Sequence, residues 1–298
     1  MLHWANQCIT PSTIHRPVIL KLALAFFGPV NVEQTLTMAG ALEAGKNIVL
    51  FYDDNSVLED FLFRYVRAGL KEGQPVIYLA GFHTTNEIRQ LMSVNGINPD
   101  SPNLSIMTYD DVFLNDGRFD QFHIHKTLFE KAESLRSRTK SRHVRLATES
   151  NWWCLSDLFE NGLEMEEQHD LIPSYFSVVC SYNIVDLLKY VSIYHLTKLA
   201  ELHEHAFLVA KQAQISDTQF RLSLSSVIIE SINEIFFEPD LVRNMHCRLT
   251  SDLLVKLQST VEASKMVELE KRVEGKLFCM LQPHDDDEIL LANARSLF

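Results

Sequence analysis

Basic residues are scarce in this 298-residue chain: Lys and Arg number 27 against 39 Asp and Glu, a net charge of −12. Neither half, divided at Ala200, is basic on its own. A broad electrostatic footprint for nucleic acid or an anionic membrane is therefore excluded. Cysteine is scarce too. Cys8, Cys154, Cys180, Cys247 and Cys279 are odd in number and show no CxxC spacing. That favours free thiols in a reducing cytoplasm over a disulfide framework or a zinc site. Long apolar runs are missing. The run PVILKLALAFFGP (Pro17–Pro29) is broken by Lys21 and is too short to span a bilayer. No small-residue cleavage motif follows it, so a short amphipathic docking helix is expected in place of a signal peptide. Glycine is the last shortage, with only ten residues and no glycine run.

That last absence matters most at NIVLFYDDNSVLEDFL, where an apolar strand turns into a helix. Phosphate-binding turns at such a place use glycine-rich backbone amides, a helix N-terminus and a lysine. This turn carries Asp53 and Asp54 and no lysine, so it repels an anion. Asp54 is instead placed to cap the following helix.

What is present is a packed α/β pattern, 46% hydrophobic and 22% charged. Five runs read as strands: 47–52, 75–81, 104–109, 143–149 and 175–182. They are apolar nearly throughout, as parallel strands covered on both faces must be. Amphipathic helices separate them. In the first, Leu58, Phe61, Leu62, Tyr65 and Leu70 form one stripe, and Gly73 marks its stop. A sixth helix (186–203) and a last strand (205–210) follow. The expected fold class is α/β, a mainly parallel doubly wound sheet with a C-terminal all-helical region. The expected division is a helical lead-in over 1–44, an α/β domain over 45–210 and a separate helical output or dimerisation region over 216–298. HDDDE (284–288) reads as a solvated turn.

Ligands of such sheets bind beyond the carboxyl ends of the strands. The residues there are Tyr52-Asp53-Asp54, Gly81-Phe82-His83, Tyr109-Asp110-Asp111, Glu149 with Trp152 and Trp153, and Cys180-Ser181-Tyr182. Each has a second reading. Trp152 and Trp153 serve as packing as readily as a pocket wall. Cys180 in an apolar strand is a small buried hydrophobe more often than a nucleophile. Its histidine base would be His83 or His169, which the sequence does not place. Glu149 ends the run VRLAT, four residues beyond Arg145, and either pairs with it or meets a ligand. The HxH pairs at His123/His125 and His203/His205 lack a third ligand nearby, so packing or solvated histidines are expected there.

The succession GKNIVLFYDD, GLKEGQPVIYLA, RLATESNWW and VVCSY resembles the MEDS domain family (methanogen/methylotroph, DcmR sensory domain), a divergent branch of KaiC/RecA-like folds. The matching positions are Gly45 and Tyr52, then Gly69, Leu70 and Gly73, then Arg145, Glu149 and Trp152, and last Cys180 and Tyr182. Asn47 stands where the family usually has a histidine, which puts any role of that imidazole in doubt. The resemblance spans about residues 44–208. It implies a RecA/KaiC-like fold with a degraded phosphate loop, and a sensory module responding to small organic molecules, often joined to a DNA-binding or kinase output.

Together these readings predict a cytoplasmic signalling protein, not an enzyme. It would bind a small organic ligand or protein partner at a strand-end rim, with regulation of transcription as a possible outcome. The ligand-binding candidates are Tyr52, Asp53, His83, Arg145, Glu149, Trp152, Cys180 and Tyr182. No catalytic residue, metal or cofactor is expected, nor direct contact with nucleic acid or membrane. The C-terminal helices have long apolar stripes that suit a homodimer or a docked partner. Three alternatives stay open: an enzyme using Cys180, a residual nucleotide hydrolase, and an adaptor whose rim is filled by its own side chains.

Overall fold

A computed structural model of the chain describes residues 46–168, 173–209, 214–215 and 251–281, with single helical positions between 224 and 235. The expected lead-in over 1–44, His169 and HDDDE lie outside the described residues.

The strands are β1 (Asn47–Tyr52), β2 (Val76–Ala80), β3 (Leu104–Thr108), β4 (Leu114–Asn115), β5 (Arg118–Phe119), β6 (Val144–Thr148), β7 (Phe176–Asn183), β8 (His205–Val209) and β9 (Gln214–Ile215). Six of them form a parallel sheet in the order β3-β2-β6-β7-β1-β8, and β9 adds an antiparallel edge to β8. β4 and β5 make a separate hairpin, turned by Asp116 and Gly117 with φ of 50° and 74°. The N-D-G turn signal was available in the sequence for it.

Helices cover both faces, which makes the sheet doubly wound. α1 (Asn55–Lys71) and α2 (Thr85–Val94) lie on one face, against Ile48, Leu50, Tyr52, Tyr78, Ala147 and Val179. The opposite face carries α3 (Tyr109–Phe113), then α4 (Gln121–Ile124), which runs through a π-helical turn (His125–Phe129) into α5 (Glu130–Thr139). It also carries α6 (Trp152–Leu155), α7 (Phe159–Glu167), α8 (Ile184–Tyr190) and α9 (Ile193–Leu202), packed over Val49, Phe51, Ile77, Leu79, Val178 and Cys180.

α1 shows how the sequence forms these elements. Asp54 accepts from the Ser56 amide at 2.8 Å, capping the helix as expected. Leu58, Phe61, Leu62, Tyr65 and Val66 are buried at helical spacing, and Gly73 at φ 73° turns the chain into β2. The cap contributes about 1 kcal/mol, whereas each buried large side chain contributes about 1.5–3 kcal/mol. Packing therefore decides where α1 sits.

The described part of the C-terminal region is helical: α10 (Ser251–Thr260) and α11 (Ala263–Leu281). Leu254, Leu257, Leu269, Val273 and Leu277 belong to the same apolar cluster as the α7 and α9 face of the sheet. Ser251 donates to Glu201 of α9 through its amide (3.0 Å) and its hydroxyl (2.6 Å). These helices thus cover part of their apolar stripes against the α/β domain itself. Among the described residues no helix is long and apolar enough to cross a membrane.

Candidate functional site

The residues at the strand ends form two groups, one on each face of the sheet. On the α1 face the centre is Glu149, which directly follows β6 and is 1% exposed. One carboxyl oxygen, Oε2, accepts from the amides of Gly81 (2.6 Å) and Phe82 (2.9 Å). The other, Oε1, accepts from the Tyr78 hydroxyl at 2.7 Å and lies 3.4 Å from His83 Nδ1. Gly81 is required by this approach: a Cβ there would stand 2.4 Å from the Glu149 carbonyl oxygen. Two successive backbone amides are a natural anion cradle, and an internal carboxyl group fills it.

Glu59 of α1 stands 3.9 Å from His83 Nε2, and the His83 side chain is one-quarter exposed. The hydrogen bond to Glu149 raises the His83 pKa, against the opposing effect of burial, and the charges of Glu149, Glu59 and Glu87 add to the rise. Burial, chiefly, raises the Glu59 carboxyl as well. Tyr52 ends β1 on this face, fully buried, and its hydroxyl has no hydrogen-bond partner among the described residues. Burial first and the Glu149 charge second raise its pKa.

A histidine whose pKa is raised on folding stabilises the fold at low pH. That contribution is full below the ordinary value near 6.5 and is lost as pH rises through the folded-state value. The stability difference between wild type and His83→Gln is therefore expected to be largest near pH 6, on the order of 0.5 kcal/mol for a partly exposed pair. It should fade as pH rises above the ordinary value and vanish once His83 is neutral in the folded state as well. Urea unfolding midpoints across this range test it, and a difference that grows with pH would contradict the assignment.

Arg145 is not part of this group. It sits at the opposite, amino-terminal end of β6, and the Arg145–Glu149 pair, one of the two readings of Glu149, does not form. Positions four apart on a strand share a face but lie about 13 Å apart. Arg145 is 2% exposed and passes beneath α1. Its Nε donates to Gln74 at 2.5 Å, its Nη2 reaches Glu72 at 3.1 Å, and its guanidinium lies 4.9 Å from the Tyr65 ring centre. Asp53 is half-buried in the β1–α1 turn.

Trp152, Cys180 and Tyr182 belong to the other face, so these three ligand-binding candidates do not share one wall with Tyr52. The register is the reason: Tyr182 is opposite Phe51, while Tyr52 is opposite Asn183, and alternate residues point to opposite sides. Trp152 donates to Asp110 at 3.0 Å and stacks on Tyr109, with ring centres 5.2 Å apart. Trp153 meets Phe113 edge-on at 4.7 Å, and Gly162 leaves room for its indole, since a Cβ there would stand 2.5 Å from it. Asn151, 1% exposed, ties these strand ends together by donating to Asp186 (2.7 Å) and accepting from the Asn183 amide (3.1 Å).

Beneath this aromatic group is a cavity of about 70 Å³. Its walls are apolar, including Phe113, Leu128, Phe129, Trp153 and Phe176. Thr148, Ser150, Glu166 and Cys180 supply the polar groups. The Tyr109 hydroxyl, also lining it, donates to Ser150 at 3.0 Å. The π-helical turn forms part of the roof through Leu128 and Phe129. Such turns frequently mark functional sites, because the wider turn displaces side chains from regular helical packing.

Cys180 lies with Glu166 and His203, and all three are buried. Burial and then the Glu166 charge push the Cys180 thiol well above its ordinary range, and burial pushes the Cys154 thiol up to about 12. Among the described histidines His203, not His83, is the one beside Cys180. The sequence reading did not name Glu166, and it weighed His203 only as half of an HxH pair, expecting a packing or solvated histidine. A signal was present: Glu166 continues the buried stripe Phe159-Gly162-Leu163, and His203 continues Leu196-Leu199-Ala200. A polar residue on an apolar stripe has to find a partner indoors. His123 and His125 fall on the α4 helix and its π turn, with His123 Nε2 3.0 Å from the Asp111 carbonyl.

A comparison with curated proteins returned no match. Among solved structures the chain resembles a KaiC-like protein from the hyperthermophilic archaeon Pyrococcus horikoshii, at 10% identity and a TM-score of 0.39. That alignment covers 57% of this chain and 73% of that one. The sequence model of the methanogen/methylotroph, DcmR sensory domain matches residues 48–204, more than half of the chain. That span runs from β1 to the end of α9 and takes in the Glu149 cradle, the cavity and Cys180. On this match the chain belongs to the MEDS family.

Proposed function

We propose that this sensory domain detects a small, largely apolar organic molecule in the cavity above Cys180 and passes its occupancy to the C-terminal helices. The observation that carries the reading is the cavity itself: about 70 Å³, apolar walls and a few convergent polar groups. A dry cavity of about 150 Å³ takes benzene, so this one suits on the order of three non-hydrogen atoms. The cradle on the other face is filled by Glu149 and offers an incoming anion no place.

A route for the signal runs through packed elements. Met165 and Glu166 of α7 line the cavity, α7 packs on α9, and α9 holds α10 through Glu201 and Ser251. An occupant that shifts α7 therefore biases the C-terminal helices. The chain works by binding, in the cytoplasm and without catalysis, and hands the state to a signalling protein. Regulation of transcription follows through that partner, since the net charge of −12 opposes direct contact with DNA.

A thermal-shift screen of alcohols, halocarbons, thiols and small amides tests the reading. A ligand present at one hundred times its Kd stabilises the fold by about 2.7 kcal/mol. Leu128→Phe, which fills the cavity, is expected to fold and to lose that response. The reading fails if no such compound raises Tm, or if Leu128→Phe keeps the full shift.

A further inference from the structure

Three residues of the metal-ligating kind meet at the edge of the cavity from three separate elements. Cys180 comes from the middle of β7, Glu166 from the end of α7, and His203 from the residue that ends α9. One ligand atom from each lies within 4.8 Å of the other two. All three residues are buried.

We propose that Glu166, Cys180 and His203 bind a single divalent transition-metal ion of the zinc class, with a fourth coordination position open toward the cavity. Four features support it. The first is spacing. Glu166 Oε2 and His203 Nε2 are 3.5 Å apart. Two ligands at about 2.0–2.1 Å from a tetrahedral ion stand about 3.3–3.4 Å apart, so this pair needs almost no adjustment. Bringing the sulfur to about 2.3 Å from the same ion requires shifts on the order of 1 Å.

The second is how the ligands are held. His203 Nδ1 donates to the Leu199 carbonyl at 2.8 Å. That bond fixes the tautomer and turns the Nε2 lone pair toward Glu166. Tyr182 donates to the other Glu166 oxygen, Oε1, at 3.4 Å, which leaves Oε2 for the ion. Outer hydrogen bonds of this kind are what orient metal ligands.

The third is charge. A thiolate, a carboxylate and a neutral imidazole around a divalent cation sum to zero, which suits an interior that tolerates no isolated charge. On binding, the Cys180 thiol loses its proton to solvent as the sulfur–metal bond forms. The fourth is the open position. Cys180 and Glu166 both line the cavity, which gives a fourth coordination position room to face it. Three protein ligands with one free position define a site that exchanges water for a ligand. A mixed sulfur, nitrogen and oxygen set favours zinc or cobalt over magnesium or calcium.

Titrating the metal-free full-length chain with cobalt(II) tests the proposal. One equivalent is expected to bind, giving a thiolate-to-cobalt charge-transfer band in the near ultraviolet and tetrahedral bands in the visible. Cys180→Ser is expected to abolish the charge-transfer band. Glu166→Gln should keep that band and weaken binding roughly a hundredfold. Circular dichroism establishes that each variant is folded before it is scored. Absence of binding by the wild type overturns the proposal, and so does a charge-transfer band that persists in Cys180→Ser. Neither measurement involves an organic ligand, so this site and the ligand reading stand or fall separately.

Discussion

Glu149→Ala is expected to lower the unfolding free energy by about 3–5 kcal/mol. The carboxyl group satisfies three donors at once: the Gly81 and Phe82 amides and the Tyr78 hydroxyl. Removing it leaves all three without their acceptor, at about 1–3 kcal/mol for each buried group. Water reaching the half-buried amides recovers part of this, which is why the total stays below the sum of the upper limits. Glu149→Gln keeps one acceptor oxygen for the two amides and can donate to the Tyr78 oxygen, so its cost should be about 1 kcal/mol. The readout is the urea midpoint at constant m value. If alanine cost less than about 1 kcal/mol, Glu149 would not be the structural member of this rim, and a role toward a ligand would regain force.

That expectation differs in kind from the sequence reading, which placed Glu149 in a binding site or in a pair with Arg145. The parallel sheet, its apolar strands and the capped α1 could be read directly from period and composition. Strand alternation also carried the information that separates Tyr52 from Tyr182. Using it requires knowing which residue of β1 stands opposite which residue of β7. Register between strands about 130 residues apart is set by packing over the whole sheet, and no local pattern reveals it. The same holds for Arg145: its position on the strand was legible, but its partners Glu72 and Gln74 lie across the sheet end in a different loop. Glu166 and His203 stood on stripes that were legible as apolar, yet only the crossing of α7, α9 and β7 brings them to Cys180.

Gly69 and Arg145 provide the sharpest test of the opposite end of the sheet, because their effects should be strongly coupled. Gly69 lies inside α1, where alanine is ordinarily better than glycine by about 1 kcal/mol. Here a Cβ would stand 2.6 Å from Arg145 Cδ and 3.0 Å from its Nε. The guanidinium cannot easily withdraw, since Gln74, Glu72 and the Tyr65 ring fix it. Gly69→Ala alone is therefore expected to destabilise by about 2–3 kcal/mol, in the range of overpacked cores. Arg145→Ala alone removes a buried side chain together with its ion pair and ring contact, at about 3–4 kcal/mol. In the double variant the new methyl enters the space the arginine has left. The Val76 methyl, 3.0 Å away, still opposes it. The cost of Gly69→Ala in the Arg145→Ala background should then fall below about 0.5 kcal/mol, a coupling of at least about 1.5 kcal/mol. Additive effects would mean that α1 moves as a body to accept the methyl. In that case the glycine serves helix–sheet packing in general, not the passage of the arginine.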